Sequence, residues 1–238
     1  MQKLFLSLLV TLCTVSVMAQ KTINDPNAEK RTVGSFHGIE VGTGIELTLT
    51  QGTTEEVAVS AEKTEYRDRI VTKVENGILK IHYDSKTGSI NKKKESKNLK
   101  AYVSFKTLDI LNANTGADVN IVGSIKSGSL DIKANTGALI DGEVDVTTLK
   151  VSQNTGSKIS FSGRADNLTV DGDTGSKFKG EDMATSNCNV TVSTGAIVWV
   201  KAEKELQVKA NTGGVVRYKG NASIKEIKTN TGGTVSKI

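Results

Sequence analysis

The stretch from Leu149 to Gly163 reads LKVSQNTGSKISFSG, and the stretch from Leu206 to Gly220 repeats its pattern as LQVKANTGGVVRYKG. In both, apolar and polar residues alternate on either side of an Asn-Thr-Gly tripeptide. Alternation with a period of two is typical of a β-strand that buries one face, and Asn and Gly favour tight turns. Each stretch therefore predicts a strand, a turn at Thr-Gly and a second strand.

The Thr-Gly pair recurs seven times between Thr115 and Gly232, and its glycines are 21, 19, 19, 20, 18 and 19 residues apart. A β-propeller needs about 40 residues per blade, and a β-sandwich would not require one tripeptide at every corner. A single repeat of this size cannot bury its apolar face alone, whereas stacked copies share a core. We therefore expect an all-β solenoid with rungs of about 19 residues.

Each position around the Thr-Gly pair keeps one kind of residue in the seven copies. Asn, Asp or Ser precedes the Thr, a small residue follows the Gly, and an apolar residue comes three positions after the Gly. We expect the glycines to take a positive φ and the Asn and Thr columns to form hydrogen-bonded ladders along the solenoid. This predicted turn ladder consists of Asn114, Thr115, Gly116, Asn135, Thr136, Gly137, Asn154, Thr155, Gly156, Thr174, Gly175, Thr194, Gly195, Asn211, Thr212, Gly213, Asn230, Thr231 and Gly232.

The sequence predicts a single solenoid domain over residues 32–238, divided into a less regular N-terminal part, 32–105, and seven repeats, 106–238. Within the first part, Val71–Glu75 and Ile78–Tyr83 are expected to form a hairpin around Asn76-Gly77. Residues 84–98 have the composition of an exposed loop, and Lys100–Phe105 that of a strand. A divergent terminal region is expected because the end of a solenoid must be capped against edge pairing.

The N-terminus has the pattern of a secretory signal peptide over residues 1–19. Lys3 precedes an apolar run, and Val17-Met18-Ala19 places small residues where signal peptidase cleaves. The alternative is a buried or membrane-spanning helix, but about 15 apolar residues are short for a bilayer. We expect cleavage after Ala19, a flexible segment over 20–31, and export to the periplasm, the outer surface or the medium. The cleaved chain would not span the membrane.

Composition narrows the class of protein. The chain of 238 residues is 37% hydrophobic and 24% charged, which is typical of a globular protein rather than a disordered one. Its net charge is +5, and loss of Lys3 with the leader leaves +4, which is too weak to indicate nucleic-acid binding. Once Cys13 is removed with the leader, Cys188 has no partner for a disulfide and falls in an apolar column of the repeat.

Catalytic groups are scarce. His37 and His82 stand beside neither a Cys nor another His, so no histidine triad or zinc site is indicated, and no cofactor is expected. The enzymatic alternative is a calcium-dependent, polysaccharide lyase-like protein that uses acids on neighbouring rungs. Its candidate metal ligands are Asp109 with Asp131, expected on successive rungs, and Asp171 with Asp173. The other interpretation of these four residues is that they are solvated surface acids.

Trp199 is the residue most suggestive of a ligand. It lies in an outward column, with Lys179 expected on the preceding rung and Arg217 on the following one. A Trp flanked by cations can stack on a sugar ring. The alternative is a Trp that packs beneath the basic side chains through cation–π contact.

Three further patterns resemble a known family. They are the motif from Phe36 to Ile45 that contains Ile39, Val41 and Thr43-Gly44, the motif from Val74 to Ile81, and the repeated Asn-Thr-Gly-Ala. Together with the leader, over about residues 32–235, they resemble the family called putative auto-transporter adhesin, head GIN domain. The resemblance implies a right-handed parallel β-helix-like exported domain, a role in adhesion and no catalytic residues to carry over.

We therefore expect an exported, non-catalytic β-solenoid with adhesin-like binding or scaffolding at the cell envelope. The candidate partners are glycans and cell-surface proteins, and nucleic acid is not expected. The alternatives are the calcium-dependent carbohydrate-active enzyme and a purely structural envelope protein that associates with itself.

Overall fold

The computed structural model describes residues 25–85 and 96–238. The predicted leader, Cys13 and most of the predicted loop at 84–98 lie outside these ranges. The described part is nearly all β, and its one α-helix, α1, is Thr64–Arg67. No helix in the described residues has the length and apolar character needed to cross a membrane.

The repeats form a stack of parallel strands, as the sequence predicts. Ile140 pairs with Val119 on one side and with Ile159 on the other, so equivalent residues of successive rungs lie in columns. The register shifts where rungs differ in length, between Asp141 and Glu143 and again between Ser160 and Ser162. The strands are β8 (Ile110–Ala113), β9 (Asp118–Ala134), β10 (Leu139–Gln153), β11 (Lys158–Gly172), β12 (Lys177–Val192), β13 (Ile197–Lys201), β14 (Glu205–Ala210), β15 (Val215–Lys219), β16 (Ser223–Thr229) and β17 (Thr234–Lys237).

The N-terminal part contributes one further regular rung. Two of its strands, β2 and β3, flank Thr43-Gly44, and they pair in parallel with β8 and β9. The solenoid therefore begins at Gly38 rather than at residue 106, and it has eight Thr-Gly corners instead of the seven predicted. The N-terminal strands are β1 (Glu29–Arg31), β2 (Gly38–Val41), β3 (Glu46–Gln51), β4 (Glu56–Ser60), β5 (Ile70–Glu75), β6 (Ile78–Tyr83) and β7 (Lys100–Phe105).

The N-terminal end of the stack is closed by antiparallel strands. After β3 the chain leaves the stack and returns through β6 and β7, which pair in parallel with β2 and β3. Outside them, β5 pairs antiparallel with β6, β4 with β7, and β1 with β4. The hairpin of β5 and β6 turns at Asn76 (φ 51°) and Gly77 (φ 75°), as expected for an Asn-Gly turn.

The prediction of a flexible segment over residues 20–31 needs correction at its end. Glu29–Arg31 form β1, whose residues pair with Val57–Val59. Asp25, just before it, accepts a hydrogen bond of 2.8 Å from the hydroxyl of Tyr102. A short polar strand carries no alternation to reveal it, because the edge of β4 and this tyrosine hold it in place.

The core is a narrow column of aliphatic side chains inside the stack. Val119, Ile140 and Ile159, three positions after the corner glycines, are buried, and so is Cys188 between Leu168 and Leu206. The small residues that follow the glycines are buried in six of the seven repeats. Because each rung adds a similar layer, the inside is packed by repetition, and the outward columns remain for contacts with other molecules.

Candidate functional site

The Thr-Gly corners share one backbone geometry. At Asn154-Thr155-Gly156-Ser157, the N–H of Ser157 donates to the carbonyl of Asn154 at 3.2 Å, while Thr155 has a φ of 48° and Gly156 a φ of 70°. Positive φ at both central residues is the mark of a type I′ turn. The glycines take the positive φ expected of them, and the threonines take it as well, which was not expected.

Hydrogen bonds run along the row of corners. Each corner glycine donates its N–H to the carbonyl of the next corner threonine, as in Gly137 to Thr155 at 2.9 Å and Gly195 to Thr212 at 3.1 Å. Side chains add links in places, such as Asn230 Nδ2 to Asn211 Oδ1 at 3.1 Å. The ladder is therefore mainly a backbone ladder, and the threonine side chains are exposed.

The first pair of predicted calcium ligands is not assembled. Asp131 pairs with Ile110 across the rungs rather than with Asp109. The carboxylate of Asp109 instead lies 2.7 Å from Nδ1 of His37. The expectation was wrong by one position, because this rung is 21 residues long and residue 109 aligns with residue 130.

The second pair is not assembled either. Asp171 is exposed in an outward column between Ser152 and Thr191. Asp173 belongs to the corner, where its carboxylate accepts the Ser193 hydroxyl at 2.8 Å and the N–H of Thr174 at 2.7 Å. Within residues 25–85 and 96–238, no three His, Cys, Asp or Glu side chains are placed to hold a metal ion.

The corner hydrogen bonds also set the charge state of Asp173. Hydrogen bonds from the hydroxyls of Thr194 and Ser193, followed by the N–H of Thr174, lower the pKa of Asp173 below its ordinary value. The carboxylate is therefore ionised and committed to the turn.

Cys188 has the environment of a core residue. Burial raises the pKa of its thiol to about 11, against a smaller opposing effect of a hydrogen bond with Thr185. Since the thiolate is the nucleophile, this cysteine is unreactive near neutral pH.

Trp199 and its predicted neighbours do align. Lys179, Trp199 and Arg217 occupy one column on β12, β13 and β15. The Arg217 guanidinium carbon lies 5.9 Å from the centre of the indole ring, so the cation–π contact expected as an alternative is present. The indole is half-buried and the two cations are exposed, which leaves part of the ring accessible.

A second column beside the Trp enlarges this surface. Lys177 pairs with both Lys158 and Ile197, and Ile197 pairs with Val215. Ile197 and Val215 face outward and are half-buried, whereas both lysines are exposed. We call this surface, which follows the corners, the Trp199 face; it consists of Lys158, Lys177, Lys179, Ile197, Trp199, Val215 and Arg217.

The four cations of the Trp199 face lack acidic partners. In the described part of the chain, Lys158, Lys177, Lys179 and Arg217 form no ion pair within 4.0 Å. The acids at the margin are engaged by other cations, since Glu203 lies 3.0 Å from Lys201 and Asp182 lies 4.0 Å from Lys219. The face therefore combines uncompensated positive charge with an aromatic and aliphatic centre.

The same sheet is acidic nearer the N-terminal end. Asp118 lies beside Glu46 and Leu139 in one column, and Asp141 lies in the neighbouring column. Burial, followed by repulsion from Asp141 and Glu46, raises the pKa of Asp118. The outward charge thus changes sign along the stack, between the rung of Leu139 and the rung of Lys158.

The sequence analysis selected only part of this face. It identified the Lys179, Trp199 and Arg217 column but missed Lys158, Lys177, Ile197 and Val215. The signal for them was present, because each follows the small residue of its repeat by one position. A parallel, in-register stack places such residues next to each other.

These features define a β-solenoid with an open, charged face on a stack of parallel rungs. Within that class, the chain belongs to the family described as putative auto-transporter adhesin, head GIN domain, whose family model matches residues 35–222. The resemblance drawn from the sequence motifs is thereby confirmed.

Solved structures have the same fold. A putative adhesin from Bacteroides fragilis is 18% identical, with a TM-score of 0.77 over 89% of this chain and 96% of that one. A putative adhesin from Parabacteroides merdae is 16% identical, with a TM-score of 0.70 over 89% and 95%. A putative lipid binding protein from Parabacteroides distasonis is 19% identical, with a TM-score of 0.64 over 90% and 98%. No curated protein matches the chain.

Proposed function

We propose that this protein is an exported, non-catalytic, adhesin-like protein that binds anionic polysaccharide through the Trp199 face. The observation that carries the proposal is the group of four cations without acidic partners around a half-buried indole. Membership of the adhesin family supports a binding role.

The chemistry of the face favours this class of ligand. An indole ring packs against the apolar side of a sugar. Lys and Arg form charge-assisted hydrogen bonds with carboxylate or sulfate groups, and Arg does so in a bidentate way. Neighbouring strands repeat about every 4.8 Å, so the cations form an open row rather than an enclosed pocket. Such a row fits an extended polymer better than a small ligand.

Binding is tested with a panel of soluble polysaccharides in affinity electrophoresis or biolayer interferometry. The panel pairs uronic-acid or sulfated polymers with neutral ones of similar length. We expect binding to the anionic polymers only, and we expect it to weaken in 1 M salt because the screening length falls to about 3 Å.

Variants locate the binding surface. Trp199→Ala and the double variant Lys179→Gln with Arg217→Gln are each expected to weaken binding about tenfold, which corresponds to about 1.4 kcal/mol. The matched control is Lys150→Gln with Lys209→Gln, two exposed lysines on the sheet that precedes the corners. Equal losses in the two double variants would show a nonspecific charge effect, and binding to neutral polymers alone would contradict the proposal.

Export is tested separately. We expect the protein isolated from its native host to begin at Gln20, as determined by N-terminal sequencing. A mature N-terminus at Met1 would contradict export through this leader.

A further inference from the structure

The C-terminal end of the stack is open, in contrast to the N-terminal end. Within the described residues, β16 pairs only with β14 and β17 only with β15. The free edges of both strands therefore present unpaired backbone N–H and C=O groups. Two inward positions of the last rung, Ile224 and Ile227, are 43% and 40% exposed, although their partners Leu206 and Val208 are buried.

The N-terminal end cannot serve as the partner of this edge. There the stack is covered by antiparallel strands β1, β4 and β5 together with α1. A head-to-tail chain of solenoids would need a free parallel edge at that end. The remaining self-complementary arrangement places two C-terminal ends against each other around a two-fold axis.

We propose that the open edge binds a second copy of this chain, with β16 of one copy antiparallel to β16 of the other. Another copy supplies an edge with the same backbone spacing and the same inward positions. The proposal is independent of the Trp199 face, which lies on other strands.

The charges of β16 select one register. In an antiparallel pair, directly opposed side chains share a face. A two-fold axis at Ile227 sets isoleucine against isoleucine and places Glu226 of each copy opposite Lys228 of the other. An axis at Glu226 would oppose two carboxylates, and an axis at Lys228 would oppose two ammonium groups. Charge complementarity therefore favours the axis at Ile227.

The test is sedimentation equilibrium of the purified protein over a range of concentrations. We expect a monomer–dimer equilibrium for the wild type. Glu226→Lys sets lysine against Lys228 and is expected to weaken dimerisation at least tenfold. The double variant Glu226→Lys with Lys228→Glu restores opposite charges and is expected to recover most of the wild-type affinity.

A matched control makes the same charge reversal away from the edge. Asp171→Lys changes an exposed acid on a rung that is paired on both sides, and it is expected to leave the dimer unchanged. A wild type that remains monomeric, open-ended polymers, or a double variant no better than Glu226→Lys would each overturn the proposal. Trp199→Ala should dimerise like the wild type, so failure here and failure of glycan binding are distinguishable.

Discussion

At the scale of the residue, the corner threonines are the least expected feature. Their φ values lie between 40° and 57° at all eight corners. The left-handed region costs an L-residue about 1–2 kcal/mol, and a β-branched residue is an outlier there. Backbone hydrogen bonds to the rungs on both sides hold these residues in place. Turn propensity alone therefore assigns the positive φ to Gly and gives no reason to assign it to Thr.

The strain predicts opposite effects for neighbouring substitutions. Thr155→Asn places a residue that tolerates positive φ at the corner and should raise the free energy of unfolding by about 0.5–1 kcal/mol. Gly156→Ala introduces a Cβ at a φ of 70° and should lower it by about 1–2 kcal/mol. Urea denaturation measures both changes.

The control is Thr169→Asn in β11, where the extended backbone favours Thr and a loss of stability is expected. If Thr155→Asn were as destabilising as Thr169→Asn, the corner would not be strained.

The environment of Cys188 predicts that its thiol is protected. Burial raises its pKa to about 11, so a thiol reagent at pH 8 should react with it only after unfolding. The measurement is the rate of Ellman's reaction for a Cys13→Ser variant with and without denaturant. A fast reaction in the folded state would contradict the packing described.

At the scale of the element, the sequence determined most strands but not their neighbours. The repeats after residue 106 and the Asn76-Gly77 hairpin follow from alternation and turn residues. The rung formed by β2 and β3 was hidden because residues 52–109 separate it in sequence from its neighbour in space. The pairing of Asp131 with Ile110 was misjudged by one position because the rungs differ in length.

The contact between β7 and the N-terminal segment predicts a pH effect. Burial, followed by the hydrogen bond to Asp25, raises the pKa of Tyr102 to about 12. A raised pKa in the folded state means that the protonated phenol is stabilised, so its contribution is complete below pH 10 and is lost as the pH rises toward 12. Absorbance at 295 nm should show a tyrosine that titrates near pH 12 in the wild type and is missing in Tyr102→Phe.

Asp25→Asn is the matched variant for this titration. It removes the carboxylate charge near the phenol, so the midpoint of Tyr102 should fall toward its ordinary value. An unchanged midpoint would show that Asp25 does not interact with Tyr102 in solution.

At the scale of the whole molecule, stacking converts a short repeat into an extended surface. Columns of outward residues build a face that is acidic at Glu46, Asp118 and Asp141 and basic around Trp199. The register brings these residues together from rungs that are 18 to 21 residues apart in sequence. The candidate site could be predicted only as far as the columns were recognised, because its charge balance depends on partners at the margin such as Glu203 and Asp182.

The most direct test of the binding proposal uses Trp199, which is the only Trp in the chain. The purified protein is titrated with a uronic-acid oligosaccharide while its intrinsic fluorescence and its quenching by acrylamide are recorded. We predict a saturable change in emission and protection from quenching, both reversed by 1 M NaCl. Emission and quenching that stay constant while the oligosaccharide binds, or the absence of binding, would contradict the assignment of the Trp199 face.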